Sequence, residues 1–271
     1  MAEARAETRV VGYAVENGVA WIRLNRPDSM NAVNAELRRG LVDAVRRAER
    51  DEAARVVVVT GQGRAFCAGA DVREFGRREG AVDTIRQEYE SLLVRLRTMP
   101  KPTIAAMNGV AAGIGASLAL ACDLRYAVPE ARIVEAFVKI GLTVDGGVSW
   151  LLPRLIGTGR ALELFYTGDP LEAADAERFG VVNRVVEPER LEPVVRELAE
   201  RLAAGPVAAL GAIKRSVNHA MNATLEEAID FEFLLQGVQM QGEDFREGVS
   251  AFLEKRRPSF DGGSRRERAD G

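Results

Sequence analysis

Two glycine-rich segments each follow directly on an apolar strand, and this repeated arrangement constrains the fold more than any other feature of the chain. The first segment, residues 61–71, follows the run 56–60, and the second, residues 108–117, follows the run 103–107. An apolar run of this length is typical of a strand that is covered on both faces. Glycine lets the backbone take positive φ values and approach a ligand closely. The two segments indicate ligand-binding loops at the carboxyl ends of strands in an open α/β sheet, and an ordinary glycine turn is the equal alternative for residues 61–71.

Strands and helices alternate along the first half of the chain. The runs 10–15 and 19–24 are separated by a turn at Asn17–Gly18, which predicts an antiparallel hairpin. Asn34 is expected to cap a helix, because the apolar residues that follow it recur at helical spacing. Further elements are expected as a polar helix over 83–97, a buried helix after Gly113 and a strand over 124–127. This alternation favours an α/β fold with right-handed crossovers.

The second half of the chain is predominantly helical, and only residues 181–186 are predicted to form a strand. A capping box at Thr224 and Glu227 marks one helix start. The predicted helical segments are 146–168, 172–180, 189–204, 206–222, 224–240 and 243–255. The last helices carry several large apolar residues, Phe231, Phe233, Leu234, Phe245 and Phe252. These residues either close the core of this chain or dock on a neighbouring subunit, and we expect a tail that is frayed after about residue 260.

Composition limits the classes of function. The chain has 271 residues with 47% hydrophobic and 28% charged residues, as expected for a globular protein with a substantial core. Its net charge of −3 and the lack of a basic patch argue against a nucleic-acid partner. Residues 102–122 are uncharged, but Asn108 and several glycines interrupt them, so we expect buried core and no membrane partner. The charged N-terminus shows no secretory signal, and a cytoplasmic location is expected.

Several familiar site patterns fail on inspection. One histidine, His219, and two cysteines without metal-ligand spacing give no expectation of a metal site. The dinucleotide fingerprint fails because Leu118 stands where its third glycine belongs. A nucleophile elbow around Ser117 lacks its closing glycine, so Ser117 is interpreted as a small residue in a buried helix.

Asp145 is the remaining candidate for chemistry. It precedes Gly146, Gly147 and an apolar helix. An aspartate in this position is often no more than a helix N-cap. The alternative is a carboxylate general base in a largely apolar pocket.

In combination, these motifs resemble the crotonase (enoyl-CoA hydratase/isomerase) superfamily nearly from end to end. The resemblance rests on the runs GRAFCAGAD at 63–71 and KPTIAAMNG at 101–109, with supporting matches at 24–27 and 152–154. It implies a spiral of repeated ββα units over residues 1–205, followed by a C-terminal helical trimerisation region over residues 206–271. It also implies a homotrimer or homohexamer that acts on acyl-CoA thioesters and holds no permanently bound cofactor.

The resemblance also assigns roles to backbone groups. The amides of Ala70 and Ile114 match the two donors of the family's oxyanion hole. Any residue except proline supplies such a donor, so Ile114 is acceptable where many relatives have glycine. Removal of one donor of this kind typically costs about 3 kcal/mol of transition-state stabilisation.

A second group of matches concerns coenzyme A. The backbone from Ala68 through Ala70 to Val72 matches the segment that reads adenine. Arg26 matches a position that is often basic and close to the phosphates. Lys255 is a candidate for additional charge there, although a solvated terminal patch is an equal alternative.

The departures from the family pattern indicate the reaction. Typical hydratases carry glutamates where this chain has Ser117 and Phe137, whereas Asp145 matches an aspartate used by several isomerase branches. Residues 137–157 most resemble the PaaG-type branch, the 1,2-epoxyphenylacetyl-CoA isomerases. The resemblance therefore predicts an acyl-CoA isomerase in which Asp145 moves the proton. The alternatives are a hydratase with a non-standard acid such as Glu135, and a non-catalytic acyl-CoA-binding protein.

Overall fold

The backbone forms two sheets with helices packed around them, and the computed structural model describes residues 10–71, 73 and 81–260. The strands are β1 (Val11–Glu16), β2 (Val19–Leu24), β3 (Val56–Gly61), β4 (Ala65–Cys67), β5 (Thr103–Met107), β6 (Val110–Ala112), β7 (Leu124–Ala127), β8 (Arg132–Val134), β9 (Leu171–Glu172) and β10 (Arg184–Val185). The helices are α1 (Ala35–Arg50), α2 (Ala81–Thr98), α3 (Ile114–Ala121), α4 (Val148–Ile156), α5 (Thr158–Thr167), α6 (Ala173–Arg178), α7 (Pro188–Ala203), α8 (Val207–Ala220), α9 (Leu225–Gln239) and α10 (Glu243–Leu253).

The first sheet has the strand order β1-β2-β3-β5-β7-β10. Its strands are parallel except for the antiparallel β1–β2 hairpin, which confirms the hairpin predicted around Asn17–Gly18. The second sheet has the order β4-β6-β8-β9 and is parallel from β4 to β8. Because parallel strands end at the same edge, the segments that follow β4 and β6 are neighbours.

In three successive turns of the fold the chain passes from the first sheet to the second. β3, β5 and β7 belong to the first sheet, and the strands that follow them, β4, β6 and β8, belong to the second. α2 follows the first of these pairs and α3 the second, so the connectivity is a series of ββα units. The predicted α/β class is confirmed.

Burial of apolar side chains holds the sheets and helices together. Residues Val56–Val59 of β3 and every residue of α3 are buried, so the prediction that 102–122 is core is confirmed. Asn34 caps α1 by accepting a hydrogen bond from the Leu37 amide at 2.9 Å. Such a cap contributes about 1 kcal/mol, whereas each buried leucine of α1 contributes roughly 1.5–3 kcal/mol. No described helix is long and apolar enough to span a bilayer.

The second half differs from the prediction in three places. The segment 146–168 is two helices, because Gly157 ends α4 with a φ of 82° and the chain restarts as α5. Only Arg184–Val185 of the predicted strand 181–186 pairs with β7. Leu171–Glu172, partly assigned to a helix, forms an edge strand antiparallel to β8. The predicted capping box at Thr224 is present.

The C-terminal helices leave much of their apolar surface uncovered. Phe233 is 73% exposed and Phe252 is 83% exposed, so the interpretation that these aromatic residues close the chain's own core is wrong. A cavity of about 740 Å³ lies between α8, α9 and α10. Lys214 ties α8 to the core through an ion pair of 2.9 Å with Asp123. The domain boundary near residue 205 stays a prediction, and the tail after 260 lies outside the described residues.

Candidate active site

Two backbone amides lie at neighbouring strand ends. Ala70 comes three residues after β4, and Ile114 is the first residue of α3, two residues after β6. The segments touch, because a Cβ on Gly69 would stand 3.0 Å from the carbonyl oxygen of Ala112. Among the described residues neither amide donates to an acceptor, and the first amides of a helix have no partner within it. Two adjacent free donors can stabilise an anionic oxygen.

Close backbone packing fixes the start of α3. A Cβ on Gly115 would collide with both the carbonyl oxygen and the side chain of Cys67 in β4, so only glycine fits without displacement. The Cys67 thiol donates to the Asn31 carbonyl at 3.2 Å, and complete burial raises the pKa of this thiol to about 12. The cysteine is therefore an inert packing residue.

Asn31 organises the first loop and was not singled out from the sequence. It is fully buried and has a φ of 57°, in the left-handed region that asparagine tolerates better than most residues. Its side chain accepts from the Arg26 amide at 2.9 Å and donates to the carbonyls of Ala65 and Gln62 at 2.8 and 3.0 Å. The sequence signal for this role was an asparagine in the turn that follows Arg26 and Pro27. Asparagine is so common in turns that this signal does not identify a functional residue.

Asp145 lies in the turn before α4. The N-cap interpretation is wrong, because Gly147 occupies the cap position and no side chain bonds to the helix start there. The Asp145 side chain has no described hydrogen bond or ion pair. The residue is exposed to solvent, and yet burial raises the pKa of its carboxyl group above the ordinary value. Water therefore reaches the Asp145 carboxyl group although neighbouring protein atoms partly shield it.

Glu135 brings a second carboxyl group to this region. It follows β8, is 2% exposed, and neither carboxyl oxygen has a hydrogen-bond partner among the described residues. Burial, and secondarily the charge of Asp145, raise the pKa of Glu135 to about 9. Glu135 is therefore protonated at neutral pH while Asp145 remains the group that ionises more readily. The sequence named Glu135 as a candidate acid without fixing its orientation, and the structure turns it inward.

The turn that carries Asp145 packs against the start of α3. A Cβ on Gly146 would collide with the Ser117 hydroxyl and would stand 3.2 Å from the Ile114 side chain. Ser117 is fully buried and its hydroxyl has no described partner. The Phe137 ring lies against Gly113, where a Cβ would be 3.4 Å away. The turn, the free Ile114 amide and Phe137 therefore belong to one site.

Tyr89 of α2 forms another part of the surroundings. Burial raises the pKa of its hydroxyl group well above the usual range, and the charge of Asp145 contributes to this shift. The Tyr89 hydroxyl therefore lies within electrostatic reach of the Asp145 carboxylate. The His219 ring stacks on Phe231 at 4.2 Å, so it is not a partner of Ser117.

The residues predicted to bind coenzyme A are mostly engaged within the chain. The Arg26 guanidinium donates to the Ala32 carbonyl and forms an ion pair of 3.3 Å with Asp71. Arg73 donates to the same carboxylate at 2.8 Å, and these hydrogen bonds hold the pKa of Asp71 well below its usual range. The Ala68 amide donates to the Met30 carbonyl at 3.0 Å. The Arg26 side chain therefore stabilises the loop through these contacts, and it also lies near the surface of the loop.

Nothing in the described part of the chain links the other two residues predicted to bind coenzyme A to the loop after β4. Val72 lies outside the described residues. Lys255 is exposed at the end of α10, and no described contact joins it to the loop after β4. Further along the chain, the Arg55 side chain donates a hydrogen bond to the Phe260 carbonyl. Arg55 immediately precedes β3, so this contact lies at the end of the strand that is away from Gly61. Their roles stay predictions.

The chain is similar to known proteins over most of its length. Residues 14–263 match the family model described as enoyl-CoA hydratase/isomerase. The chain is 42% identical to the 1,2-epoxyphenylacetyl-CoA isomerase of Escherichia coli K12, over 92% of this chain and 97% of that protein. It is also 42% identical to the "Probable enoyl-CoA hydratase" of Rhodobacter capsulatus, over 93% and 98% of the two chains.

Solved structures give the same result for the fold. An enoyl-CoA hydratase subunit from Geobacillus kaustophilus HTA426 superposes with a TM-score of 0.89 at 40% identity, covering 95% of this chain and 100% of that one. The crotonase-like spiral expected from the sequence is therefore confirmed. The chain belongs to the enoyl-CoA hydratase/isomerase family, as the resemblance of its motifs to the crotonase superfamily and its PaaG-type branch indicated.

Proposed function

We propose that the chain is an acyl-CoA isomerase that moves a proton, and with it a double bond, through a thioester enolate. The observation that carries this proposal is the solvent-accessible carboxylate of Asp145, in a turn that packs against Ile114, whose amide is unpaired among the described residues, as is that of Ala70. In this mechanism the thioester oxygen accepts hydrogen bonds from the two amides. Asp145 removes a proton from the α carbon, and the amides stabilise the charge that develops on the oxygen.

Isomerisation needs no further reagent. The proton that leaves the α carbon is balanced by a proton that enters the γ carbon, and the double bond moves into conjugation with the thioester. Burial raises the pKa of Asp145, which makes it a stronger base than an ordinary aspartate. The absence of a glutamate at Ser117 and Phe137 is consistent with a reaction in which no water is added.

The substrate is proposed to be a coenzyme A thioester, with no permanently bound cofactor. The backbone from Ala68 to Val72 contacts the adenine in this proposal, and Arg26 and Lys255 lie near the phosphates. Arg73 shares the Asp71 carboxylate with Arg26, and its own side chain is 68% exposed. It therefore offers positive charge at the surface of the same loop.

We also propose assembly as a homotrimer or homohexamer through the C-terminal helices. The exposed apolar residues of α9 and α10, including Phe233 and Phe252, support this part of the proposal. Sedimentation or native mass spectrometry measures the subunit number directly. A monomer at micromolar concentration would contradict it.

Hydration is the second candidate function, and Glu135 is the observation that favours it. Addition of water to a 2-enoyl thioester uses one group to activate water and one to handle the proton. Glu135 and Asp145 together have the protonation states that such a reaction needs. Relatives of equal identity carry isomerase and hydratase names, so both activities have to be measured.

The test supplies a 3-enoyl-CoA and, separately, a 2-enoyl-CoA to the purified chain. We expect conjugated 2-enoyl product from the first substrate, faster than 3-hydroxyacyl-CoA forms from the second. The variant Asp145→Asn should lower kcat by about 100-fold or more with little change in KM, because a general base is lost.

Asp169→Asn is the matched control, since it removes an exposed carboxylate that pairs with Lys139 at the surface. It should leave the rate unchanged. Full activity of Asp145→Asn would exclude the role given to this aspartate. Tight binding of coenzyme A esters without turnover of any acyl group would instead support a non-catalytic acyl-CoA-binding protein.

A further inference from the structure

Glu135 is buried in a way that is unfavourable for a purely structural residue. Both carboxyl oxygens are buried and lack a partner within the described part of the chain, and the residue is 2% exposed. A buried polar group without a hydrogen bond costs roughly 1–3 kcal/mol. Unsatisfied groups of this kind are rare in native proteins and often mark sites that act on a ligand or hold water.

The surroundings of Glu135 contain acidic and neutral groups but no described cation that pairs with it. Asp145, in the turn before α4, is the charged group that acts on it. The nearest lysine in sequence, Lys139, lies at the surface and pairs with Asp169 at 3.6 Å. Glu135 is therefore held in its neutral form by burial and by a neighbouring carboxylate.

The remaining titratable groups near Asp145 come from other elements. α2 supplies Tyr89 and β4 supplies Cys67, and the charges of Arg38 in α1 and of Asp145 act on the Tyr89 hydroxyl. α3 supplies Ser117, whose hydroxyl is buried against Gly146 and does not ionise. The Asp145 turn thus has an unpaired polar group on each side, Glu135 and Ser117.

The two carboxyl groups differ in their access to water. Asp145 is exposed to solvent, so a proton that it accepts exchanges with the medium. Glu135 is enclosed, so a proton on its carboxyl group is kept apart from the medium. A single exposed shuttle would lose part of the proton to water in each turnover, whereas a pair of groups separates removal from delivery.

We propose, on the basis of the isomerase function argued above, that Glu135 is a second catalytic group, which delivers a proton to the γ carbon after Asp145 has removed one from the α carbon. The first step breaks the α C–H bond and forms an O–H bond on Asp145, and the electron pair enters the dienolate. The second step breaks the O–H bond of Glu135 and forms the γ C–H bond with the dienolate's electron pair. Transfer of the proton from Asp145 back to Glu135 restores both groups, so no co-reactant is consumed.

This mechanism predicts a specific dependence on pH. The rate should fall on the alkaline side with an apparent pKa of about 9, because ionised Glu135 has no proton to deliver. The pKa of Cys67 is about 12 and that of Tyr89 is also raised far above this region, so neither produces this limb. On the acidic side, protonation of Asp145 removes the base.

The experiment compares Glu135→Gln with Asp145→Asn on a 3-enoyl-CoA in deuterated water, with kcat, KM, the pH profile and deuterium exchange at the α carbon as readouts. In Glu135→Gln we expect kcat to fall by about 100-fold or more, KM to change little, and the alkaline limb to disappear. Exchange at the α carbon should continue, because Asp145 is intact. Asp145→Asn should lose both exchange and product.

The controls separate the possible failures. Glu130→Gln removes an exposed carboxylate from the turn before β8 and should behave as the unchanged protein. Thermal unfolding of each variant verifies that Glu135→Gln is folded. If the unchanged protein isomerises and Asp145→Asn does not, while Glu135→Gln keeps its rate and alkaline limb, the role of Glu135 is excluded and the isomerase function stands. If the unchanged protein gives no conjugated product, the isomerase function itself is wrong.

Discussion

The side chain that shapes one half of the site is fully hydrogen-bonded, whereas the two carboxyl groups of the other half have no described partner. The amide half, formed by β4, β6 and the residues that follow them, is fixed by Asn31, whose side chain makes three hydrogen bonds, and by glycine contacts such as that of Gly115 with Cys67. The carboxyl half, residues 135–147, holds Glu135 without a partner and Asp145 without a described bond. The first half therefore resists displacement, and the second keeps groups available for proton transfer.

This contrast has a chemical meaning. Stabilising an enolate oxygen needs donors at fixed positions, because their benefit depends on geometry set before the reaction. Moving protons needs groups whose charge can change, and a hydrogen-bonded, ion-paired carboxylate such as Asp71 has its pKa held too low for that. Relatives that carry isomerase and hydratase names at equal identity are consistent with a shared enolate step and a variable proton step.

The largest effect is expected from removing a donor of the amide half without disturbing the fold. Ile114→Pro deletes the amide, and proline is well tolerated at the first position of a helix. We expect kcat to fall by about 100- to 1,000-fold. Ile114→Ala keeps the amide and is the control, measured in the same assay with the same 3-enoyl-CoA. Equal rates for the two variants would mean that this amide does not act on the reacting oxygen.

A matched pair of glycine substitutions should separate the two halves by stability. Gly115→Ala forces a Cβ into the carbonyl and side chain of Cys67, and we expect a loss of about 3 kcal/mol in the free energy of unfolding. Gly147→Ala meets no atom within 4 Å, so only its φ of 76° opposes the change, at a cost of about 1–2 kcal/mol. Urea denaturation measures both. A larger loss at Gly147 would contradict the contrast between a tightly packed and an open half.

The smallest effect has the opposite sign. Glu135→Met replaces an unpaired buried carboxyl group with an apolar side chain, and we expect a gain of about 1 kcal/mol near neutral pH. Such a gain corresponds to a rise in Tm of about 2–4 °C. A gain in stability together with a loss of activity in this variant would sharpen the contrast between the amide half and the carboxyl half of the site.

The same variant tests the pH dependence of stability. Because the folded-state pKa of Glu135 is about 9, above its ordinary value of about 4.5, the folded chain binds a proton that the unfolded chain has lost. The stability of the unchanged protein should therefore decline from pH 4.5 towards pH 9 relative to Glu135→Met. Tm values for the two proteins that stay parallel across this range would show that Glu135 is not protonated in the folded state.

Patterns in the sequence were sufficient where the physical signal is local. The buried strand β5, the helix α3 and the Thr224 capping box follow from runs of apolar residues or from a cap three residues ahead of its partner. The second sheet was not predicted strand by strand. β4, β6 and β8 are only three residues long, which is too short for an alternating hydrophobic pattern to identify them. The pairing of Ala65 with Val110 also joins residues that are far apart in sequence.

The site was predicted unevenly for a related reason. Glycine spacing pointed to the two loops, because positive φ and close approach require glycine, and the family resemblance then singled out Ala70 and Ile114 within them. The sequence carries no comparable signal for the burial of Glu135, because the orientation of this side chain depends on where β8 ends and on the path of the following turn. Asp145 was open to interpretation as an N-cap until the helix start could be seen at Gly147.

The passage of the chain between two sheets in three successive turns separates two kinds of sequence change. Lengthening the connection between β4 and α2 leaves the pairing of β4 with β6 intact. Adding one residue between β5 and β6 would shift Ile114 relative to Ala70 and abolish their alignment. We therefore expect insertions in this family to be frequent in the outer connections, where they change specificity. They should be rare in the short links between the two sheets.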